Sequence, residues 1–252
     1  MLVLALLAAW ALAPLTAGAS EEEIKLESAP IDVRDVASLQ AGARSFVNYC
    51  LNCHSASLMR YSRLRDLGLS DRQIMDNLMF TADKIGEMMN ITMSRKDAAD
   101  WFGPAPDLSV IARSRGADWL WSYMRGFYRD AASPTGWNNT VFVGVGMPHV
   151  LWKLQGERVL KQAVMKDAAG NELKDSHGNV IKTATFQTIR PGTLSAVEYD
   201  TVVRDLVNFL VWMGEPNQVF RRQAGIVVVA FLFGFSLLTY FLYKEFWKGV
   251  HV

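Results

Sequence analysis

The sequence predicts a mainly α-helical domain with one small inserted β-hairpin and a single C-terminal transmembrane helix. Three observations predict it. Between residues 38 and 216, several segments carry apolar residues three or four apart, the spacing of one helix face. Residues 159–188 break that pattern with turn signals and short alternating segments. Ala224–Tyr243, AGIVVVAFLFGFSLLTYFLY, is twenty residues without a charge, long enough to cross a ~30 Å hydrocarbon core.

The chain opens on MLVLALLAAWALAPLTAGA, uncharged and ending in small residues suited to cleavage, so residues 1–19 read as a signal peptide. It lacks a positive n-region, and Pro14 and the small-residue end argue against a membrane helix there. Glu21–Glu23 is a solvated start to the mature chain. Ser38–Ser55 is predicted helical, with Leu39, Ala43, Phe46 and Cys50 on one face. Ser70 is placed to cap a helix carrying Ile74, Leu78 and Met79. Gly103, Pro104 and Pro106 break the pattern before a short apolar turn. Residues 117–130 form a helix with Trp121, Met124 and Phe127/Tyr128 buried, and 131–150 form a loop. The hairpin of 159–188 carries His177 in its turn. A long amphipathic helix follows, with Leu194, Val197, Val202, Leu206, Phe209 and Leu210 on its apolar face, stopped by Gly214 and Pro216.

Charge places the ends. Arg221 and Arg222 precede the apolar span; Lys244 and Lys248 follow it, so the positive-inside rule leaves orientation open. The formal net charge is +1 from 26 basic and 25 acidic residues. Setting aside those four basic residues and Glu245 leaves 22 against 24, a formal −2 for residues 1–220. That balance gives a nucleic-acid partner no support. The predicted organisation is a signal at 1–19, a globular domain at 20–220, an anchor at 221–243 in membrane lipid, and a tail at 244–252.

The two cysteines of the chain stand in Tyr-Cys-Leu-Asn-Cys-His, residues 49–54. A zinc site needs four ligands, and His149, His177 and His251 show no paired spacing. A thioredoxin-like pair has no use for the trailing histidine. A structural disulfide is a further alternative. The pattern C-x-x-C-H fits the attachment of one covalently bound heme c: Cys50 and Cys53 supply two thioethers, and His54 offers its imidazole to iron. The fold expectation sharpens to a class I-like cytochrome c heme domain. Such attachment happens outside the cytoplasm, so the heme domain is expected in the periplasm and the span runs inward, single-pass, across a bacterial inner membrane.

The second axial ligand decides between electron transfer and ligand chemistry. Met75, Met79, Met124 and Met213 sit at helical spacing and read as core filler. Met88, Met89 and Met93 lie on a less regular stretch and remain candidates. Met147 lies in VFVGVGMPHV, where Gly144 and Gly146 permit close backbone approach and Pro148 fixes the chain direction. Met147 is preferred, with His149 as alternative.

YCLNCHS, PAPDLSVIARSRG, DWLWSYMRGFYRD and GVGMPHVLW, followed by a span ending KEFWK, together resemble cytochrome c1. That family is the heme subunit of the proteobacterial cytochrome bc1 complex, a ubiquinol–cytochrome c reductase. The resemblance implies that the Pro106 carbonyl accepts from the His54 imidazole and that Arg115 pairs with a heme propionate. It implies a dimeric complex with cytochrome b and the Rieske iron–sulfur protein as partners, and a soluble or tethered c-type cytochrome as electron acceptor. The polypeptide supplies no catalytic acid, base or nucleophile; the expected role is electron transport. Two rivals stand beside it: a heme enzyme or gas sensor with an open distal position, and a membrane cytochrome outside any bc1 complex.

Overall fold

In the computed structural model, residues 26–91, 93–103, 105–164, 170–172 and 182–249 are described. The signal segment, the hairpin turn with His177, and His251 lie outside them. Helix α1, Val36–Tyr49, starts where the Asp35 carboxylate accepts from the Ser38 amide. It lies along α7, Ala196–Gly214, and the two helices form the spine of the core. Gly42 makes that approach possible, because a Cβ there would sit 2.0 Å from the Asp205 carbonyl oxygen. Phe46 and Phe209 meet across the seam at 5.7 Å between ring centroids. A buried polar knot fixes the register: Ser38 Oγ donates to Asp205 at 2.7 Å, and Asn208 donates to Ser38 Oγ and to the Asp32 carbonyl. Such a knot stabilises only when its members are paired.

The remaining elements pack around this spine. Strand β1, Ala56–Arg60, pairs antiparallel with β2, Met88–Met89. Between them lie a 3-10 helix, Tyr61–Leu67, and α2, Asp71–Asn77. Ser70 caps α2 in a reciprocal box with Gln73, as its sequence position predicts. Helix α3, Arg95–Phe102, precedes two short helices, α4, Ile111–Arg115, and α5, Ala117–Arg125. Strands β3, Phe127–Arg129, and β4, Trp137–Asn139, are antiparallel partners. Helix α6, Trp152–Gln155, leads into β5, Gly156–Val164, which pairs with β6, Lys182–Pro191. The sheet order is β4-β3-β5-β6, with β3 and β5 parallel.

Helix α8, Gln218–Phe246, spans 29 residues; its most apolar 18 residues have a mean hydropathy of 2.3 and none of them is buried. At 1.5 Å per residue it is about 44 Å long, enough to cross a membrane. Glu215, just before it, accepts from Arg113 at 2.8 Å and also pairs with Arg221, tying the start of α8 to α4.

Several sequence expectations are corrected. The first helix ends at Tyr49, not Ser55, because the Cys50 and Leu51 amides both bond the Phe46 carbonyl and close the helix. The helix predicted for 117–130 stops at Arg125; Gly126 ends it, and Phe127–Arg129 find ladder partners in Trp137–Asn139. Those partners also put a strand inside the predicted 131–150 loop. The hairpin strands begin earlier and end later than 159–188, and they extend a larger sheet rather than standing alone. Met75 is exposed and not core filler, whereas Met124 and Met213 are buried. On α7, Leu206, Phe209 and Leu210 are buried as expected, but Val197 is 77% exposed, and toward the N-terminus the buried positions are Tyr199 and Val203. Helix α3 escaped the sequence reading because its last residues, Trp101 and Phe102, adjoin the Gly/Pro break.

Candidate functional site

The motif Cys50–His54 occupies a turn just beyond α1. The Cys53 and His54 amides both donate to the Cys50 carbonyl, at 3.0 and 2.8 Å, so one further helical turn sets the cysteines on a common side. Both thiols are free, Cys50 buried and Cys53 half-buried. Burial, with Cys53 nearby, pushes the Cys50 thiol up to about 12. Among the described residues no group of three or more His, Cys, Asp or Glu side chains could hold a metal ion.

His54 is the ordered centre of this flank. Its Nδ1 lies 2.8 Å from the Pro106 carbonyl oxygen. A carbonyl only accepts, so Nδ1 carries the proton and Nε2 keeps a free lone pair, the form a metal requires. Burial lowers the His54 pKa, while the Pro106 contact and the Asp107 charge oppose that shift. The neutral ring is therefore the resting form.

The segment that presents Pro106 is itself pinned. The Asp107 carboxylate accepts from the Ser57 and Ser109 amides, each at 2.8 Å. Ser109 Oγ accepts from the Leu58 amide, and the Leu108 amide donates to the Ser55 carbonyl. Burial works to raise the Asp107 pKa, but the bonds from Ser109 and Ser57 outweigh it and the net shift is downward. Asp107 is a site residue that sequence reasoning missed. The signal was present: Asp-x-Ser with a side-chain bond two residues on is an Asx-turn.

A second group forms around Met147. Its half-buried thioether accepts from Tyr123 Oη at 3.3 Å. Tyr123 stacks on Trp119 at 4.7 Å and meets Phe127 edge-on at 5.1 Å. The Arg115 guanidinium lies 5.1 Å from the Trp119 ring centre. Arg115 thus stands at one end of an aromatic row built from residues four apart on α5 and β3, and Met147 meets its middle member, Tyr123. Burial raises the Tyr123 pKa, so its hydroxyl stays protonated. Tyr123 too was missed, although the spacing of Trp119, Tyr123 and Phe127 is visible in the sequence.

The other candidates fall elsewhere. His149 is buried, stacked on Phe127 at 4.7 Å and edge-on to Trp137, with Nε2 2.8 Å from Gln155. Desolvation drives its pKa down to about 3. Met89 is fully buried in β2 and Met93 is exposed. Gly144 adopts φ +75° with open space where a Cβ would sit, while Gly146 is not in the left-handed region.

This donor set fits a c-type heme. Two free thiols, an imidazole with its outer nitrogen available and a thioether are the ligands such a group takes. The segments carrying them also expose apolar side chains, Leu58, Val110, Phe142 and Val143.

Comparison with known proteins agrees. The Cytochrome C1 family model matches residues 27–159 and 187–250. The chain is 47% identical over 247 residues to a protein named ammonia monooxygenase gamma subunit from Nitrosomonas europaea, covering 98% of this chain and 97% of that one. It is 44% identical over 244 residues to cytochrome c1 of Allochromatium vinosum, covering 95% and 96%. A cytochrome c1 of Rhodobacter capsulatus is 27% identical over 249 residues, covering 84% and 83%. The chain belongs to the cytochrome c1 family, the heme-carrying electron-transfer subunits of the cytochrome bc1 complex.

Proposed function

We propose that this chain is the membrane-anchored electron carrier between the Rieske iron–sulfur protein and a soluble or tethered c-type cytochrome. Residues 20–220 form the periplasmic heme domain, 221–243 the single anchor in the inner membrane and 244–252 the cytoplasmic tail. Cys50 and Cys53 hold the heme through thioethers, and His54 and Met147 bind its iron. When bound, the heme supplies a one-electron ferric/ferrous couple. The protein's own part is positional. Pro106 fixes the His54 tautomer and ring plane, and Asp107 fixes Pro106. Met147 supplies a soft ligand that favours the ferrous state and closes the distal position. Arg115 offers a cation to a propionate. The observation that carries this reading is the 2.8 Å contact from His54 Nδ1 to Pro106, which leaves Nε2 for iron.

The identity to a protein named ammonia monooxygenase gamma subunit supports a second reading, in which the same carrier serves a monooxygenase. Affinity purification of the tagged full chain in mild detergent separates the two. Co-purification with a b-type cytochrome and a Rieske centre is expected. Recovery with monooxygenase subunits and no b-type heme would sink the bc1 assignment.

A further inference from the structure

We propose that Tyr123 is a positioning residue for Met147, its phenolic O–H donating to the thioether sulfur and setting how strongly that sulfur binds ferric iron. The inference rests on the reading of Met147 as the second axial ligand.

A thioether sulfur has two lone pairs, so it can face iron with one and accept a proton with the other. Accepting from Tyr123 at 3.3 Å draws electron density from the sulfur. Ferric iron depends on that density more than ferrous iron does, so the contact favours the reduced state and raises the potential. The contact is built in. Asn139, fully buried, donates to the Tyr123 carbonyl at 2.8 Å through Nδ2. Its Oδ1 accepts from the Val141 and Phe142 amides, at 2.8 and 3.3 Å. One side chain therefore locks α5 to the start of the loop that carries Met147. Asn138 adds a second tie, accepting from the Gly144 amide at 2.9 Å. The Tyr123 ring is held by Trp119 and Phe127. A phenylalanine would satisfy that stacking equally well, and a buried hydroxyl is tolerated only with a partner. Among the described residues, the hydrogen-bond partner of this hydroxyl is Met147 Sδ.

The test is redox titration of the c-type heme in membranes carrying the full chain, with the far-red sulfur-to-iron band followed in the oxidised state. Tyr123→Phe keeps the ring, so the band should persist. The one-electron equilibrium constant should fall about three- to tenfold, about 28 to 59 mV. Replacing Tyr123 with 3-fluorotyrosine, a stronger donor of the same shape, should raise the potential. That arm decides the matter even where the phenylalanine chain fails to accumulate. Potentials that do not move in either variant, or that move in the same direction, overturn the proposal. Met147→Leu, measured beside them, tests the reading beneath it. Loss of the band there with no response at Tyr123 refutes the inference alone; an unchanged Met147→Leu refutes the ligand assignment itself.

Discussion

Around His54 the positioning comes from main-chain amides and carbonyls met by short polar side chains close in sequence; around Met147 it comes from aromatic stacking and contacts between side chains far apart in sequence. His54 is held by the Pro106 carbonyl, and the Pro106 segment by the Asp107 carboxylate and the Ser109 hydroxyl, which accept from the Ser57, Ser109 and Leu58 amides, and by the Leu108 amide. Met147 meets a tyrosine hydroxyl, and that tyrosine is placed by aromatic stacking and one buried asparagine. The main-chain half of the proximal lattice tolerates most changes of side chain, because its donors and acceptors are common to every residue but proline. A side-chain relay fails when one member is shortened. The proximal flank is thus built for permanence, and the Met147 flank is where the properties of the site can be tuned.

The largest effect expected is on the permanent side. The double variant Cys50→Ser, Cys53→Ser removes both thioether donors and should abolish covalent heme, while Met147→Leu should leave attachment intact and lower the potential. Leucine conserves volume, so folding should change by less than ~1.5 kcal/mol. Heme stain on denaturing gels reads the first and redox titration the second. Full-yield covalent heme in the double cysteine variant would break the contrast between the flanks.

The same division explains what was legible in the sequence. Cys50, Cys53 and His54 lie within five residues, and the turn that orients them is local, so spacing alone conveys the geometry. The Ser70 cap is equally local and appears with its reciprocal partner at Gln73; the same box at Ser195 and Glu198 was there to be read and was not. Met147 could be ranked only by its neighbours, because what meets it comes from 24 residues away. The boundary at Arg125 was illegible for a similar reason. Phe127–Arg129 suits helix or strand, and Trp137–Asn139 decides. The close approach of α7 to α1 at Gly42 is a contact across 163 positions that periodicity cannot report.

A smaller effect is expected at Asp107, the side chain that accepts two of the amides in the proximal lattice. Asp107→Ala frees the Ser57 and Ser109 amides and should cost about 1–2 kcal/mol; Ser57 is exposed and can turn to solvent, whereas Ser109 is buried. The depressed pKa of Asp107 gives a matching pH dependence. Its contribution is present above the unfolded value near ~3.9 and is lost as pH falls through the lower folded value. Acid titration of the heme spectrum in the native chain should therefore show a transition below about pH 4 that starts earlier in Asp107→Ala. Superimposable acid curves for the two chains would mean that Asp107 does not hold the flank.

The smallest effect belongs to the arginines at the edge of the Met147 row. Arg113 is committed to Glu215, which also holds Arg221. Arg115 has no carboxylate partner among the described residues and lies over Trp119, so its charge is available to a propionate. Arg115→Gln removes one positive charge beside the site, which favours the oxidised state and should lower the potential slightly. Both arginines are exposed, so salt should shrink the shift, since exposed charges are screened over ~8–10 Å at ordinary ionic strength. Arg113→Gln should leave the potential unchanged and cost ~0–1 kcal/mol of stability through the lost surface pair. Redox titration of both variants at low and high salt separates them. If Arg113→Gln moves the potential more than Arg115→Gln, the propionate partner is Arg113, and the Glu215 pair is a secondary use of a residue that the heme claims first.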